Sequence, residues 1–204
     1  MSAIMKDNNE KGFTLVELMI AMVISAIVMT SVYSVYSAQQ RSYIVQEGVA
    51  AMHQNLRAAM YFMEREIRMA GCDPTGAAGA GIQADSTGTL IHFTEDFRGK
   101  DTGDPPDGDT GDVNEDISYF LTDADLDGKS DDLVRDTGCV EANIEKVIAE
   151  NIQSLNFDYL DSSGATTAVF DDMRFVRITV VARSDDNSQT DTLQTRIHAR
   201  NLGM

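Results

Sequence analysis

The chain has 204 residues, of which 43% are hydrophobic, and this is enough for one modest domain beyond a membrane segment. A formal net charge of −17 argues against nucleic-acid phosphate as a general partner, because no basic footprint balances it. The charge is concentrated in residues 95–136, which hold 15 acidic and 4 basic side chains, so one acidic block sets the overall balance.

The N-terminal region joins a short polar segment, which carries Lys6 and Lys11, to a long apolar run. No charged residue occurs in residues 18–40, and a helix over residues 13–38 would be roughly 39 Å long at about 1.5 Å per residue. About 20 apolar residues cross a bilayer core. A secretory signal peptide has a shorter apolar core of about 7–15 residues. The sequence therefore predicts one membrane-spanning helix, with the rest of the chain outside the cytoplasm.

The start of this run carries a specific motif. The hexapeptide Gly12-Phe13-Thr14-Leu15-Val16-Glu17 resembles the processing site of type IV prepilins and pseudopilins. The resemblance implies that a prepilin peptidase cleaves after Gly12 and that the new N-terminal residue, Phe13, is methylated. It also implies that Glu17 neutralises the N-terminal ammonium of a neighbouring subunit during assembly. The alternative is a plain membrane anchor, in which Glu17 reaches the lipid head groups.

The helix is predicted to continue beyond the membrane, because apolar residues then recur at steps of three and four on one face. Gly71 and Pro74 end this pattern. The stripe consists of Val45, Val49, Met52, Leu56, Met60, Met63, Ile67 and Ala70.

The rest of the chain reads as short strands, several of which alternate between apolar and polar residues. The predicted strands are residues 90–94, 117–121, 133–135, 152–160, 175–183 and 193–199. Residues 184–191 would join the last two as an antiparallel hairpin. Residues 140–151 are ambiguous, and a short helix is one interpretation.

These elements predict an α+β fold, in which one long N-terminal helix packs on an antiparallel β-sheet. This is also the pilin-like fold that the resemblance implies. The expected segments are a cytoplasmic leader over residues 1–12 and a transmembrane or filament-core helix over residues 13–38. An amphipathic continuation of the helix follows over residues 39–71, and residues 72–204 form an extracytoplasmic, β-rich head.

Three short segments are similar to PilW-type minor pilins, namely residues 69–74, 150–155 and 200–203. This resemblance implies a minor pilin that helps to assemble or prime a type IV pilus. Its partners would be the prepilin peptidase, other pilins in the filament and, before assembly, inner-membrane lipid. The head would lie in the periplasm and later at the cell surface on the pilus.

Two other functions share parts of this pattern. One is a minor pseudopilin of a type II secretion system, and the other is an anchored periplasmic calcium-binding module. No nucleophile elbow, phosphate-binding glycine loop or paired-carboxylate constellation is recognisable, so we predict no enzyme activity.

Two cysteines, Cys72 and Cys139, allow a single pairing. Because the membrane topology places both outside the cytoplasm, we expect a disulfide between them. The alternative is two unpaired, buried thiols. Their spacing does not match a zinc site.

An acidic loop offers the one candidate for a cofactor, a calcium ion. Asp123, Asp125, Asp127 and Asp131 follow the spacing of the first half of an EF-hand loop, with Gly128 for the turn. The twelfth position is Val134, where that loop has a bidentate glutamate. A solvated hairpin turn is the alternative.

The loop over residues 101–116 is predicted to be an irregular surface loop that could donate further ligands to the same ion.

Overall fold

The structure is a computed structural model, and it describes residues 12–101, 103–138, 145–184 and 189–202. The chain divides into two compact units, Met1–Gln46 and Glu47–Met204. We call the second of these the head unit. One helix, α1, covers Leu15–Ile67 and so contributes to both units.

Helix α1 has 53 residues and ends at Ile67, four residues before Gly71. Gly71 adopts a φ of +77°, and its amide donates to the carbonyl of Thr94 at 3.0 Å. A Cβ at this position would lie 2.9 Å from Cδ2 of Leu202. Both the left-handed conformation and this close approach favour glycine, so the turn that leads from the helix to the sheets depends on it.

The first sheet has four antiparallel strands in the order β1-β2-β3-β4. They are β1 (Ile91–Thr94), β2 (Asp116–Thr122), β3 (Asp132–Thr137) and β4 (Lys146–Ala149). The long acidic loop, residues 95–115, connects β1 to β2.

The second sheet has three antiparallel strands in the order β5-β6-β7. They are β5 (Ile152–Leu160), β6 (Phe175–Arg183) and β7 (Thr190–His198), with a short 3₁₀ helix at Phe170–Asp172. Along β6 the side chains alternate between buried and half-buried, as expected for a strand with one face toward the core.

The core of the head unit forms between the second half of α1 and both sheets. Leu56 is 1% exposed, and Met63 and Ile67 are fully buried. They join one hydrophobic cluster with β-strand residues such as Phe93 and Ile178. The amphipathic stripe of the helix therefore covers the apolar sheet faces from Val49 onward, whereas Val45, its first predicted member, is exposed.

The α+β prediction is confirmed, with two differences in detail. The strands form two sheets where one was expected, and Asn151, which has a left-handed φ of +59°, lies between β4 of the first sheet and β5 of the second. Residues 146–149, which lie in the ambiguous region, form strand β4 and not a short helix, whereas residues 140–144 lie outside the described part of the chain.

Candidate processing and assembly site, and the acidic loops

The predicted cleavage point lies immediately before helix α1. Gly12 and Phe13 are exposed and non-helical, and the Phe13 side chain is 91% exposed. A Cβ added to Gly12 would meet no atom within 4 Å. Packing among the described residues therefore gives no reason for glycine at this position.

Thr14 and Glu17 form a capping box at the start of the helix. The Glu17 amide donates to Oγ1 of Thr14 at 3.3 Å, while the Thr14 amide donates to Oε2 of Glu17 at 2.9 Å. The Thr14 hydroxyl also donates to the same Oε2, at 3.0 Å. These bonds satisfy amides that the first helical turn leaves free. All of the carboxylate contacts use Oε2, so the other oxygen of Glu17 can accept from a second donor.

The sequence analysis missed the role of Thr14, although the pattern Thr-x-x-Glu is itself the signature of a capping box. The structure thus assigns Glu17 a local partner in addition to the intermolecular one that the resemblance implies. The two roles are compatible, because the carboxylate has two oxygens.

The first half of α1 is apolar on every side. Each large apolar side chain from Leu15 to Ile44 is more than half exposed. Among the described residues, α1 is the one helix that is long and apolar enough to cross a membrane. A helix that is hydrophobic all round requires lipid or other helices around it, so this half needs a partner that the described residues do not supply.

A polar cluster formed by Glu66, Asn114, Tyr119 and Arg135 links the end of α1 to the first sheet. Nε of Arg135 donates to both carboxylate oxygens of Glu66, at 3.1 and 2.9 Å, and Nη2 donates to Asn114 at 3.2 Å. The hydroxyl of the fully buried Tyr119 donates to Glu66 as well. Burial, followed by the negative charge of Glu66, raises the pKa of Tyr119. The phenol therefore stays a donor at any physiological pH.

Glu95 lies beside this cluster but forms none of its hydrogen bonds. Its side chain is 7% exposed, and its Oε2 has no hydrogen-bond partner in the described part of the chain. Burial, together with the negative charges of Glu66 and Glu115, raises the pKa of Glu95 to about 7. The carboxyl group is thus poised to titrate near neutral pH.

Three of the four predicted calcium ligands come together. Oxygens of Asp123, Asp125 and Asp127 all lie within 4.8 Å of one another. Asp131 does not join them, since it accepts from Nη2 of Arg183 at 2.8 Å. The oxygen-only donor set fits a hard cation such as calcium.

Other residues of this loop shape it or compete for its carboxylates. Lys129 donates to Asp127 and partly neutralises it. Asp132, which the sequence analysis did not single out, accepts from the amides of Ala124 and Asp125 at 2.8 and 3.1 Å. Oδ1 of Asp123 is buried and has no partner among the described residues. The calcium prediction for this loop therefore stays a prediction, with Asp131 outside the cluster.

Cys72 lies at the end of the turn that follows α1 and is half-buried. Burial and the carboxylates of Glu95 and Asp96 raise the pKa of its thiol. Cys139 lies outside the described residues, so the disulfide stays a prediction.

A family model described as the prokaryotic N-terminal methylation motif matches residues 7–33. A search of curated proteins found no match for this chain. The motif supports a type IV pilin-like protein, a structural class that a prepilin peptidase processes and that assembles into filaments. Together with the apolar helix, it indicates membrane anchoring with the head outside the cytoplasm.

Proposed function

We propose that this chain is a minor pilin, a structural subunit that enters or primes a type IV pilus. The prepilin peptidase removes residues 1–12, and the new N-terminus at Phe13 is methylated. The apolar half of α1 then moves from the inner membrane into the filament core, while the head unit faces outward. The observation that carries this proposal is the methylation motif at the start of a helix whose apolar side chains stay uncovered through Ile44.

Glu17 supplies the assembly step. A carboxylate in an apolar environment is costly unless it is paired. Its Oε2 belongs to the capping box with Thr14, and its Oε1 accepts from the methylated ammonium of a neighbouring Phe13. Pairing two charges that each lack a counter-charge in the membrane drives the subunit into the filament.

The test is incorporation into purified pili. Glu17→Ala and Glu17→Gln are expected to be cleaved and inserted in the membrane but poorly incorporated, because neither can neutralise an ammonium. Glu47→Ala is the matched control, since Glu47 is exposed on the same helix but lies outside the motif. Normal incorporation of both Glu17 variants would refute the assembly role.

A minor pseudopilin of a type II secretion system is the first alternative, because it would carry the same motif. Deletion of the gene separates the two functions: loss of pili supports the pilin, and loss of protein secretion with pili intact supports the pseudopilin.

An anchored periplasmic calcium-binding module is the second alternative, and the cluster of Asp123, Asp125 and Asp127 favours it. Such a module would keep residues 1–12. Calcium that binds only the folded chain would raise its melting temperature, and Asp125→Ala would abolish this rise. Equal melting temperatures of the wild type in millimolar calcium and in chelator would remove the ion from this loop.

A further inference from the structure

The loop between β1 and β2 holds a second group of carboxylates that the proposed function does not use. Residues 95–116 contain nine acidic side chains and two basic ones, Arg98 and Lys100. Oxygens of Asp107, Asp109 and Asp112 all lie within 4.8 Å of one another. This group belongs to a different loop from Asp123, Asp125 and Asp127.

Local turns hold the side chains of Asp107 and Asp109 in place, and each turn uses only one oxygen of its carboxylate. Oδ1 of Asp107 accepts from the Asp109 amide at 3.3 Å, and Oδ1 of Asp109 accepts from the Gly111 amide at 2.8 Å. The second oxygen of each carboxylate takes no part in these turns. Oδ2 of Asp112 is buried and has no hydrogen-bond partner among the described residues.

Two fully buried carboxylates lie behind the three aspartates. Oδ2 of Asp96 accepts from the Gly108 amide and from the Thr75 hydroxyl, both at 3.2 Å. Because Gly108 lies between Asp107 and Asp109, the Asp96 carboxylate contacts the backbone that carries two of the three clustered aspartates. Asp96 is 0% exposed, and its Oδ1 has no partner in the described part of the chain.

Glu115 is the second buried carboxylate, and its amide donates to the carbonyl of Asp112 at 3.1 Å. It is 0% exposed, its Oε1 accepts from the amides of Phe97 and Arg98 at 3.0 Å each, and its Oε2 has no partner within the described ranges. Burial, with additions from Asp112 and Asp96, raises the pKa of Glu115. Burial, followed by Asp107 and Asp109, likewise raises the pKa of Asp112. These carboxylates therefore repel one another across the loop.

The positive charges of Arg98 and Lys100 offset this repulsion at Asp112 only in part. Arg98 donates to the carbonyl of Val113 at 2.5 Å, and its guanidinium lies 5.6 Å from the centre of the Phe97 ring. Arg98 and Lys100 both lower the pKa of Asp112, but burial and the two aspartates outweigh them. A buried carboxylate without a partner is unfavourable unless a proton or a cation neutralises it.

We propose that Asp107, Asp109 and Asp112 bind a divalent cation, beside the buried side chains of Asp96 and Glu115. The donor set contains only oxygen, which selects calcium or magnesium over transition metals. Calcium fits better, because it accepts six to eight oxygens in flexible geometry and an irregular loop provides this more readily than a regular octahedron. The ion orders the connection between β1 and β2.

The experiment uses the full chain in detergent micelles, freed of metal by chelator and titrated with calcium in a calorimeter. Asp109→Asn and Asp112→Asn are expected to lose one bound calcium, or to bind it about tenfold or more weakly. Asp101→Asn is the matched control, because it removes the same charge from the same loop at an exposed position outside the cluster. Asp125→Asn tests the other loop and should leave this ion bound. A parallel titration with magnesium should show weaker binding.

Three results would overturn the proposal. The wild type could bind no ion at millimolar calcium, which would show that the three aspartates form no cation site. Asp101→Asn could weaken binding as much as Asp109→Asn, which would show a diffuse field and not a site. Loss of the ion in Asp125→Asn alone would place it in the other loop. Because Asp107 and Asp109 are exposed, Asp107→Asn provides a further variant that leaves the fold intact, and melting in chelator verifies this.

Discussion

Both halves of helix α1 carry many apolar residues, but the two halves differ in what surrounds those residues. Leu18 in the first half is 58% exposed, whereas Leu56 in the second half is 1% exposed. In the second half a stripe of apolar residues faces the two sheets, and in the first half apolar residues occupy every side. The difference teaches that the head unit supplies its own core, whereas the N-terminal half needs lipid or other subunits.

The largest expected effect separates these two leucines. Leu56→Ala removes packing from the core of the head unit and is expected to lower the free energy of unfolding by about 2–5 kcal/mol. Leu18→Ala, the same truncation in the other half, should leave the unfolding of the head unit unchanged. Thermal denaturation of the full chain in detergent measures both. Equal losses would contradict the division of the helix into two functions.

The next test concerns how the second half is fastened. Glu66→Gln removes the charge that faces Arg135 and is expected to destabilise the head unit by about 2–3 kcal/mol, because it leaves a partly buried guanidinium without a counter-ion. Glu64→Gln is the control, since Glu64 pairs with Arg68 at the surface and should cost less than about 1 kcal/mol. Denaturant midpoints that fall equally for both variants would contradict the claim that the pair of Glu66 and Arg135 stabilises the head unit.

Glu95 gives the head unit a pH dependence that the N-terminal half should lack. Its pKa is raised from 4.5 to about 7, so the folded chain holds a proton that the unfolded chain has lost. Stability therefore falls as pH rises from about 4.5 to about 7, and the full penalty is present above that range. We expect Glu95→Gln to stabilise the protein by about 2 kcal/mol at pH 8 and to have little effect at pH 4. Melting temperatures across this range, in chelator, provide the measurement, and a gain of equal size at both pH values would contradict the assignment.

The smallest effect lies at the start of the first half. Thr14→Ala removes the capping box and should destabilise the first helical turn by about 1 kcal/mol, without changing the melting of the head unit. Faster amide hydrogen exchange at residues 15–18 would show this. Thr30→Ala is the control, because its hydroxyl donates to a carbonyl within the helix and caps nothing. Unchanged exchange in Thr14→Ala would remove the capping role.

The sequence predicted those elements whose signals are local. The bounds of β5 and β6 match the predicted residues 152–160 and 175–183, because alternation along a strand is visible without its neighbours. The division into two sheets depends on which strands pair with one another, and alternation along a single strand does not report this pairing. Thr14 is a different case, because its pattern was local and readable but was overlooked.

The features that the sequence did not predict depend on residues that are far apart in the chain. Glu66 and Arg135 are 69 residues apart, and only the fold brings them together. Asp131 was predicted to join Asp123, Asp125 and Asp127 from its spacing, but the register of β6 presents Arg183 to it across 52 residues. The buried carboxylates of Asp96 and Glu115 lie in a loop that looked like a plain surface segment, because composition does not reveal which side chains become buried.

The central claim is that the first half of α1 begins at a processed terminus. Mass spectrometry of the protein isolated from cells that contain the prepilin peptidase tests this most directly. A Gly12→Leu variant is the control, because the fold leaves room for a side chain at this position and cleavage should fail. We predict that the wild-type chain starts at Phe13 and carries one methyl group on its amine, whereas the variant keeps residues 1–12. A wild-type chain that keeps its leader in such cells would contradict the account.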